Sequence, residues 1–381
     1  MKITGCKFFH VEVPRETGAI SEHVLIRVDT SEGISGWGEL SDMHHQHPAL
    51  VPSMTVLEEE ANYRIEGADP FQIRSVLDRL GDVLPEAFDL ALHDLLGKIL
   101  NVPVYVLLGG KRRDRIPFCY PIFPMSTSAG EDHSGEVETQ IERVQRIREM
   151  GQKRIRKYIG HNLKAETAFL EAFRQDFGDE VQIKSLDLSG RFHWQEALAL
   201  LQDFRRFDYQ MAESVSKRFS GPHRAWERDI AGMAEVRKQL GIPISEHLNS
   251  VRMLLDYHRA GAVDVANIAT CASGITKTRF LFECAAELGL RTLHGTTQEL
   301  SIGTAAAAHV MASLTTVDMP CDPAGPLLYM DDCTRNRVQY EDSCLVVPQG
   351  PGLGVEVDER HLVEIASKGN RLRQMRSRPI T

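Results

Sequence analysis

Arg154-Ile155-Arg156-Lys157-Tyr158, Lys184-Ser185-Leu186-Asp187, Met211-Ala212-Glu213 and Ile244-Ser245-Glu246-His247 are four short strand-like runs, each finishing in a polar side chain. The last three end 26 and 34 residues apart, about one strand plus one helix each time. Between the second and third runs, Trp194, Ala197, Leu198 and Leu201 fall at helical spacing. Strands that alternate with amphipathic helices are the pattern of a parallel sheet joined by crossovers. The same pattern extends outward, with strands predicted near 117–122, 153–158, 181–187, 209–213, 243–247, 263–268 and 290–294. Val137, Ile141 and Val144 make a further helical stripe, as do Leu281, Cys284, Ala285 and Leu288. Seven such units in roughly 200 residues predict a closed barrel. An open doubly wound sheet would carry a glycine-rich dinucleotide turn, and Gly350-Pro351-Gly352-Leu353-Gly354 lacks the strand-glycine-helix setting of one.

The first third reads differently. Strands at 2–13, 23–29 and 34–40 are followed by a helical run from Pro85 to Leu100 and a turn at Leu107-Leu108-Gly109-Gly110. The predicted fold is therefore α/β, a modified TIM barrel of (β/α)7β form over 116–339. An α+β capping domain over 1–115, completed by 340–381, stands before it.

Composition narrows the function. The 381 residues are 42% hydrophobic and 25% charged, as in an ordinary globule. A net charge of −9 argues against nucleic acid as partner, because there is no basic excess to displace counterions. The apolar stretch Thr304 to Val317 is shorter than the ~20 residues needed to span a bilayer, and the first ten residues read as a strand, not a signal peptide. A cytoplasmic protein with no membrane partner is expected. The seven cysteines form no CxxC pair and read as reduced core thiols. A homo-oligomer is expected because symmetric assemblies are common among soluble enzymes.

In a barrel of this kind the chemistry sits at the C-terminal strand ends. Asp187, Glu213 and either Glu246 or His247 close three consecutive strands, and such an oxygen-rich set suits a hard cation such as Mg²⁺. Strand alternation puts Arg156 and Tyr158 on one face and Lys157 on the other, and it prevents Glu246 and His247 from sharing a face.

At this point the chain resembles the enolase superfamily, of the mandelate racemase and muconate lactonizing enzyme kind, over nearly its whole length. The resemblance rests on Gly36-Trp37-Gly38-Glu39, Ala91-Leu92-His93-Asp94-Leu95 with Gly97-Lys98, and Pro351-Gly352-Leu353-Gly354-Val355. Within it the chain looks most like the acid-sugar dehydratase branch, in the galactarate dehydratase type with Arg-x-Tyr in place of Lys-x-Lys. The blocks that suggest this include Cys119-Tyr120-Pro121-Ile122-Phe123, Pro243 to His247, Gly295 to Ser301 and Asp322-Pro323-Ala324-Gly325-Pro326.

The resemblance implies Mg²⁺ held by Asp187, Glu213 and His247, and a second metal held by Asp42, His45 and Thr297. It implies a lyase, a sugar-acid dehydratase, acting on a small-molecule aldarate or aldonate. Tyr158 would take the proton beside the substrate carboxylate while Arg156 lowers its pKa, and Arg15 would hold a distal carboxylate. The chain departs from that type in one respect. The segment Leu84-Pro85-Glu86-Ala87-Phe88 has no room for its acidic tyrosine, so His294, His44 or His45 is the replacement candidate. The alternatives are a racemase or epimerase on the same scaffold, and a noncatalytic sugar-acid sensor.

Overall fold

The computed structural model describes residues 1–41, 54–124, 134–217 and 229–366. Strands β1 (Ile3–Pro14), β2 (Ile20–Thr30) and β3 (Ser35–Leu40) form an antiparallel sheet in that order. The Pro85–Ile99 helix lies across it, burying Phe88, Ala91, Leu92 and Leu95 against Phe8, Val24, Ile26 and Val28.

The Gly36-Trp37-Gly38-Glu39 motif explains how close that approach is. A Cβ on Gly38 would fall 1.9 Å from the carbonyl oxygen of Ala87, and one on Gly36 would fall 2.1 Å from that of Ala91. Only glycine lets the strand lie on the helix backbone. Asp94 of the same helix accepts from the backbone N–H of Trp37 at 2.8 Å and of Leu353 at 2.8 Å, and Lys98 donates to it at 2.6 Å. One carboxylate thus pins the sheet and the C-terminal Pro351-Gly352-Leu353 loop to the helix.

The barrel strands are β5 (Tyr120–Ile122), β6 (Arg154–Tyr158), β7 (Gln182–Asp187), β8 (Tyr209–Glu213), β9 (Ile244–His247), β10 (Val265–Ile268) and β11 (Arg291–His294). They pair in sequence order, and every pairing is parallel. Residues 319–322 close the ring. Met319 and Asp322 donate to Thr292 and His294 of β11, while Cys321 donates to Pro117 and accepts from Cys119. This is the expected (β/α)7β architecture with a capping domain.

One predicted strand divides. The 117–122 run becomes β4 (Arg115–Pro117) and β5, because β4 pairs with β13 (Cys344–Val346), which also pairs with β12 (Tyr340–Glu341). Phe118 and Cys119 spend their N–H groups on Ser343 and Cys321 instead.

The alanine-rich stretch forms a helix, Ser301–Ser313, buried from Ser301 through Ala312. No helix among the described residues is long and apolar enough to cross a membrane. Glu39 of β3 reaches its N-terminus, accepting from Leu300 N at 2.7 Å and Gly303 N at 2.8 Å, and is itself held by His23 Nδ1 at 2.9 Å. Asp332 accepts from Ser301 N and Oγ at the same end. Two carboxylates satisfy donors that the helix cannot pair internally and complement its dipole, joining sheet to barrel.

Candidate active site

Register sets the first relationship. Tyr158 of β6 pairs with Asp187 of β7, and Asp187 with Glu213 of β8, so three adjacent strand ends place these side chains at one level of the barrel mouth. Arg156 and Tyr158 point inward, where Arg156 Nη2 donates to the phenolic oxygen at 2.5 Å. Lys157 points outward and donates to Gln140 at 2.6 Å on the Ser134–Glu149 helix; burial lowers its pKa to about 8.

Burial and mutual repulsion shape the two carboxylates. Burial and then the neighbouring Glu213 raise the Asp187 pKa to about 6. Glu213 is also buried, which opposes ionisation, yet Arg156 and His247 hold it low, at about 2. Its Oε1 accepts from Asn267 Nδ2 at 2.9 Å and lies 3.3 Å from His247 Nε2 and 3.7 Å from Arg156 Nη1. Its Oε2 is buried with no hydrogen-bond partner. A desolvated, unpaired carboxylate oxygen beside a second carboxylate is a place where a cation would restore balance, so the donor set fits a divalent ion.

Glu246 and His247 diverge. Glu246 accepts from Ser214 Oγ at 3.1 Å and from the His247 backbone N–H at 3.0 Å, whereas His247 turns toward Glu213. As they stand, no group of three His, Cys, Asp or Glu side chains among the described residues is arranged to hold a metal. His247 Nε2, 3.3 Å from Glu213 Oε1, stands at the separation expected of two ligands on one ion, so a modest turn of its ring would bring it to the two carboxylates.

His294 stands elsewhere than a catalytic role requires. Its neighbour Leu293 packs with Met211 and Val265 in the barrel interior, so His294 turns outward and stacks on Phe282 at 5.9 Å. Its Nδ1 donates to the Gly295 carbonyl at 2.7 Å and its Nε2 accepts from Thr270 Oγ1 at 2.6 Å. Burial lowers its pKa to about 4, so the ring is neutral and both nitrogens are occupied.

Thr297 Oγ1 lies 2.5 Å from Ser41 Oγ, and its backbone N–H donates to Glu299. The other members of the expected second metal site, Asp42 and His45, lie outside the described residues, as does His44.

Arg15, on the loop after β1, donates to Ser21 and sits over two aromatic rings, Phe123 at 5.5 Å and Tyr329 at 5.8 Å. Phe123 in turn stacks on Tyr158 at 4.7 Å. A guanidinium of the capping sheet is therefore one ring removed from the phenol.

Three inward residues were given no role by the sequence reading. Asn267 occupies β10 across the barrel from Tyr158. Asp322 lies on the closing segment and accepts from Arg156 Nη1 at 2.9 Å and from Lys184. Strict alternation from Asp187 turns Lys184 outward, but Ile155 pairs with Ile183 and Arg156 with Ser185, so two residues of β7 oppose one of β6. That bulge admits Lys184 to the interior. Asp322 lies between Pro320 and Pro323 in a run with no strand pattern, so the sequence shows it in a shared block but does not show that it faces into the barrel.

A capped (β/α)7β barrel with paired carboxylates at its strand ends defines the class. Residues 7–109 match the N-terminal domain of mandelate racemase and muconate lactonizing enzyme, and residues 139–361 match the enolase C-terminal domain-like family. The chain belongs to the enolase superfamily. It is similar to the N-succinyl-L-Arg/Lys racemase of Bacillus cereus, at 25% identity over 96% of this chain and 98% of that protein. It is also similar to a chloromuconate cycloisomerase of Pseudomonas putida, at 27% identity over 74% of this chain and 72% of that protein. Among solved structures, the muconate lactonizing enzyme of Pseudomonas putida superimposes with a TM-score of 0.81 at 21% identity, covering 96% of this chain and 99% of that one.

These relatives correct the expected activity. They are a racemase and a cycloisomerase, which are isomerases, and not acid-sugar dehydratases, so the assignment as a lyase acting on galactarate-like sugars does not stand. The physical reason is visible in the blocks that suggested it. Asp322 binds Arg156 and Lys184, and Thr297 and Glu299 bond to each other. Such interactions order the protein's own side chains and do not distinguish one carboxylate substrate from another.

Proposed function

We propose that this chain is an isomerase of a small carboxylate substrate, a racemase or epimerase that moves the proton on the carbon beside the carboxylate. The observation that carries this reading is the contact of Arg156 with Tyr158, level with Asp187 and Glu213. The isomerase names of the relatives support it.

Asp187, Glu213 and His247 would hold Mg²⁺, which when bound supplies Lewis-acid charge to the substrate carboxylate. Tyr158 would take the α-proton. A phenol, with a reference pKa of ~10, is a weak base near neutrality. Burial raises the Tyr158 pKa further, and Asp187, Glu213 and Asp322 add to that, while Arg156 acts in the opposite sense. The base therefore depends on positive charge at its oxygen, and Arg156 donates to that atom directly. Arg15, with its face on Phe123, would hold the distal end of the substrate.

A second reading is favoured by the wall opposite Tyr158. There Asn267, which is not ionisable, faces inward, and His294 faces out. A one-base isomerisation of the cycloisomerase kind needs no acid on that side, whereas a racemase must return a proton to that face from a group other than Asn267 and His294.

The test is incubation with Mg²⁺ in D₂O of N-succinyl-L-arginine, N-succinyl-L-lysine, a wider panel of N-acyl amino acids, and muconate. Proton NMR and chiral chromatography report the outcome. Deuterium entering at the α-carbon with inversion is expected for a racemase. Ring closure of muconate supports the second reading. No exchange and no product across the panel overturns both and leaves a noncatalytic sensor.

A further inference from the structure

We propose that Asp322 and Lys184 are positioning residues that fix Arg156 against Tyr158, so that the phenol is set from the seam where the barrel closes. The inference rests on the reading of Tyr158 as the base.

The guanidinium of Arg156 has two occupied ends. Nη1 donates to Asp322 at 2.9 Å and Nη2 to Tyr158 at 2.5 Å. Because the guanidinium is planar and rigid, fixing Nη1 fixes where Nη2 lies. Asp322 is itself immobilised. Its backbone N–H donates to His294 of β11, its neighbour Cys321 is bonded to Pro117 and Cys119, and its second oxygen receives Lys184 Nζ.

Lys184 is fully buried, with its ammonium on Asp322 and not on Tyr158. A lysine in such a place is costly unless paired, and the β7 bulge that admits it interrupts the regular pairing with β6. Both features have a common result: the carboxylate of Asp322 is held between two cations and cannot swing away from Arg156. Lys184 also donates to the Pro320 carbonyl at 3.3 Å, tying the side chain to the same segment.

The experiment labels the full chain with [¹³Cζ]tyrosine, which gives eight tyrosine resonances, and assigns Tyr158 by its loss in Tyr158→Phe. Lys184→Met leaves Arg156 and Asp322 as a neutral buried pair and so should fold; Asp322→Asn is its companion. In both variants the Tyr158 resonance is expected to shift while the other tyrosines keep theirs. With a substrate that turns over, kcat should fall on the order of 100-fold, as for a displaced reactive group, with KM little changed.

A folded Lys184→Met protein whose Tyr158 resonance matches the wild type overturns the proposal. Should Asp322→Asn fail to fold, Lys184→Met alone decides. The two readings fail separately: turnover surviving in Tyr158→Phe removes the base assignment, whereas the resonance reports the positioning whether or not any substrate is turned over.

Discussion

Arg156 and Tyr158 stand two positions apart on the inward face of β6, and the guanidinium donates to the phenolic oxygen at 2.5 Å while also lying over the ring at 5.0 Å from its centroid. The oxygen thus faces a fixed positive charge before any substrate arrives. On the neighbouring strands Asp187 and Glu213 present the opposite charge at the same level.

Arg156→Lys should retain the charge but lose the fork. An ammonium is a point donor on a flexible stem and cannot hold Asp322 and Tyr158 in one plane. Turnover is expected to fall on the order of 100-fold, with circular dichroism and urea denaturation showing a folded protein. Wild-type kcat in that variant would mean that charge alone suffices.

Metal binding should be visible without activity. With Mg²⁺ at ~100 times its Kd, the folded state gains about 2.7 kcal/mol, and EDTA removes the gain. Glu213→Gln, which lacks the unpaired carboxylate oxygen, should show no Mg²⁺-dependent rise in Tm by calorimetry. An undiminished rise in that variant would place the ion elsewhere.

A pH dependence is built into the contact between capping helix and barrel. Asp89 accepts from Thr276 N and Oγ1 on the Gly274–Glu287 helix, and its Oδ1 lies 3.2 Å from His93 Nδ1. Burial opposes both charges, yet Asp89 raises the His93 pKa above 6.5 and His93 lowers the Asp89 pKa below 3.8. The His93 contribution is complete below its unfolded value of 6.5 and is lost as pH rises through the higher folded value. That of Asp89 is complete above its unfolded value of 3.8 and is lost as pH falls through the lower folded value. The pair therefore stabilises most between about pH 4 and 6.5. Urea denaturation from pH 5 to 9 should show wild-type stability declining more steeply than that of Asp89→Asn, and parallel curves would contradict the coupling.

Much of this was legible in the chain because barrels repeat. The separations of Asp187, Glu213 and His247 gave the strand ends, and alternation placed Arg156 beside Tyr158. Lys184 was hidden because a bulge breaks the alternation from which its direction is read. His294 was found at its strand end, but its direction depends on Leu293 packing against Met211 and Val265 across the barrel, which no local pattern reports. The substrate class was misread for a related reason. The blocks Gly295 to Ser301 and Asp322 to Pro326, which suggested the dehydratase branch, hold Thr297 to Glu299 and Asp322 to Arg156 and Lys184, and those contacts do not depend on which carboxylate is bound.

The most direct test of the account is α-proton exchange in D₂O by the Tyr158→Phe protein, loaded with Mg²⁺ and compared with wild type on a substrate that the wild type turns over. Removing the phenolic oxygen should reduce exchange by at least ~100-fold while substrate binding and the fold are retained. Exchange at the wild-type rate in that variant would show that another group takes the proton.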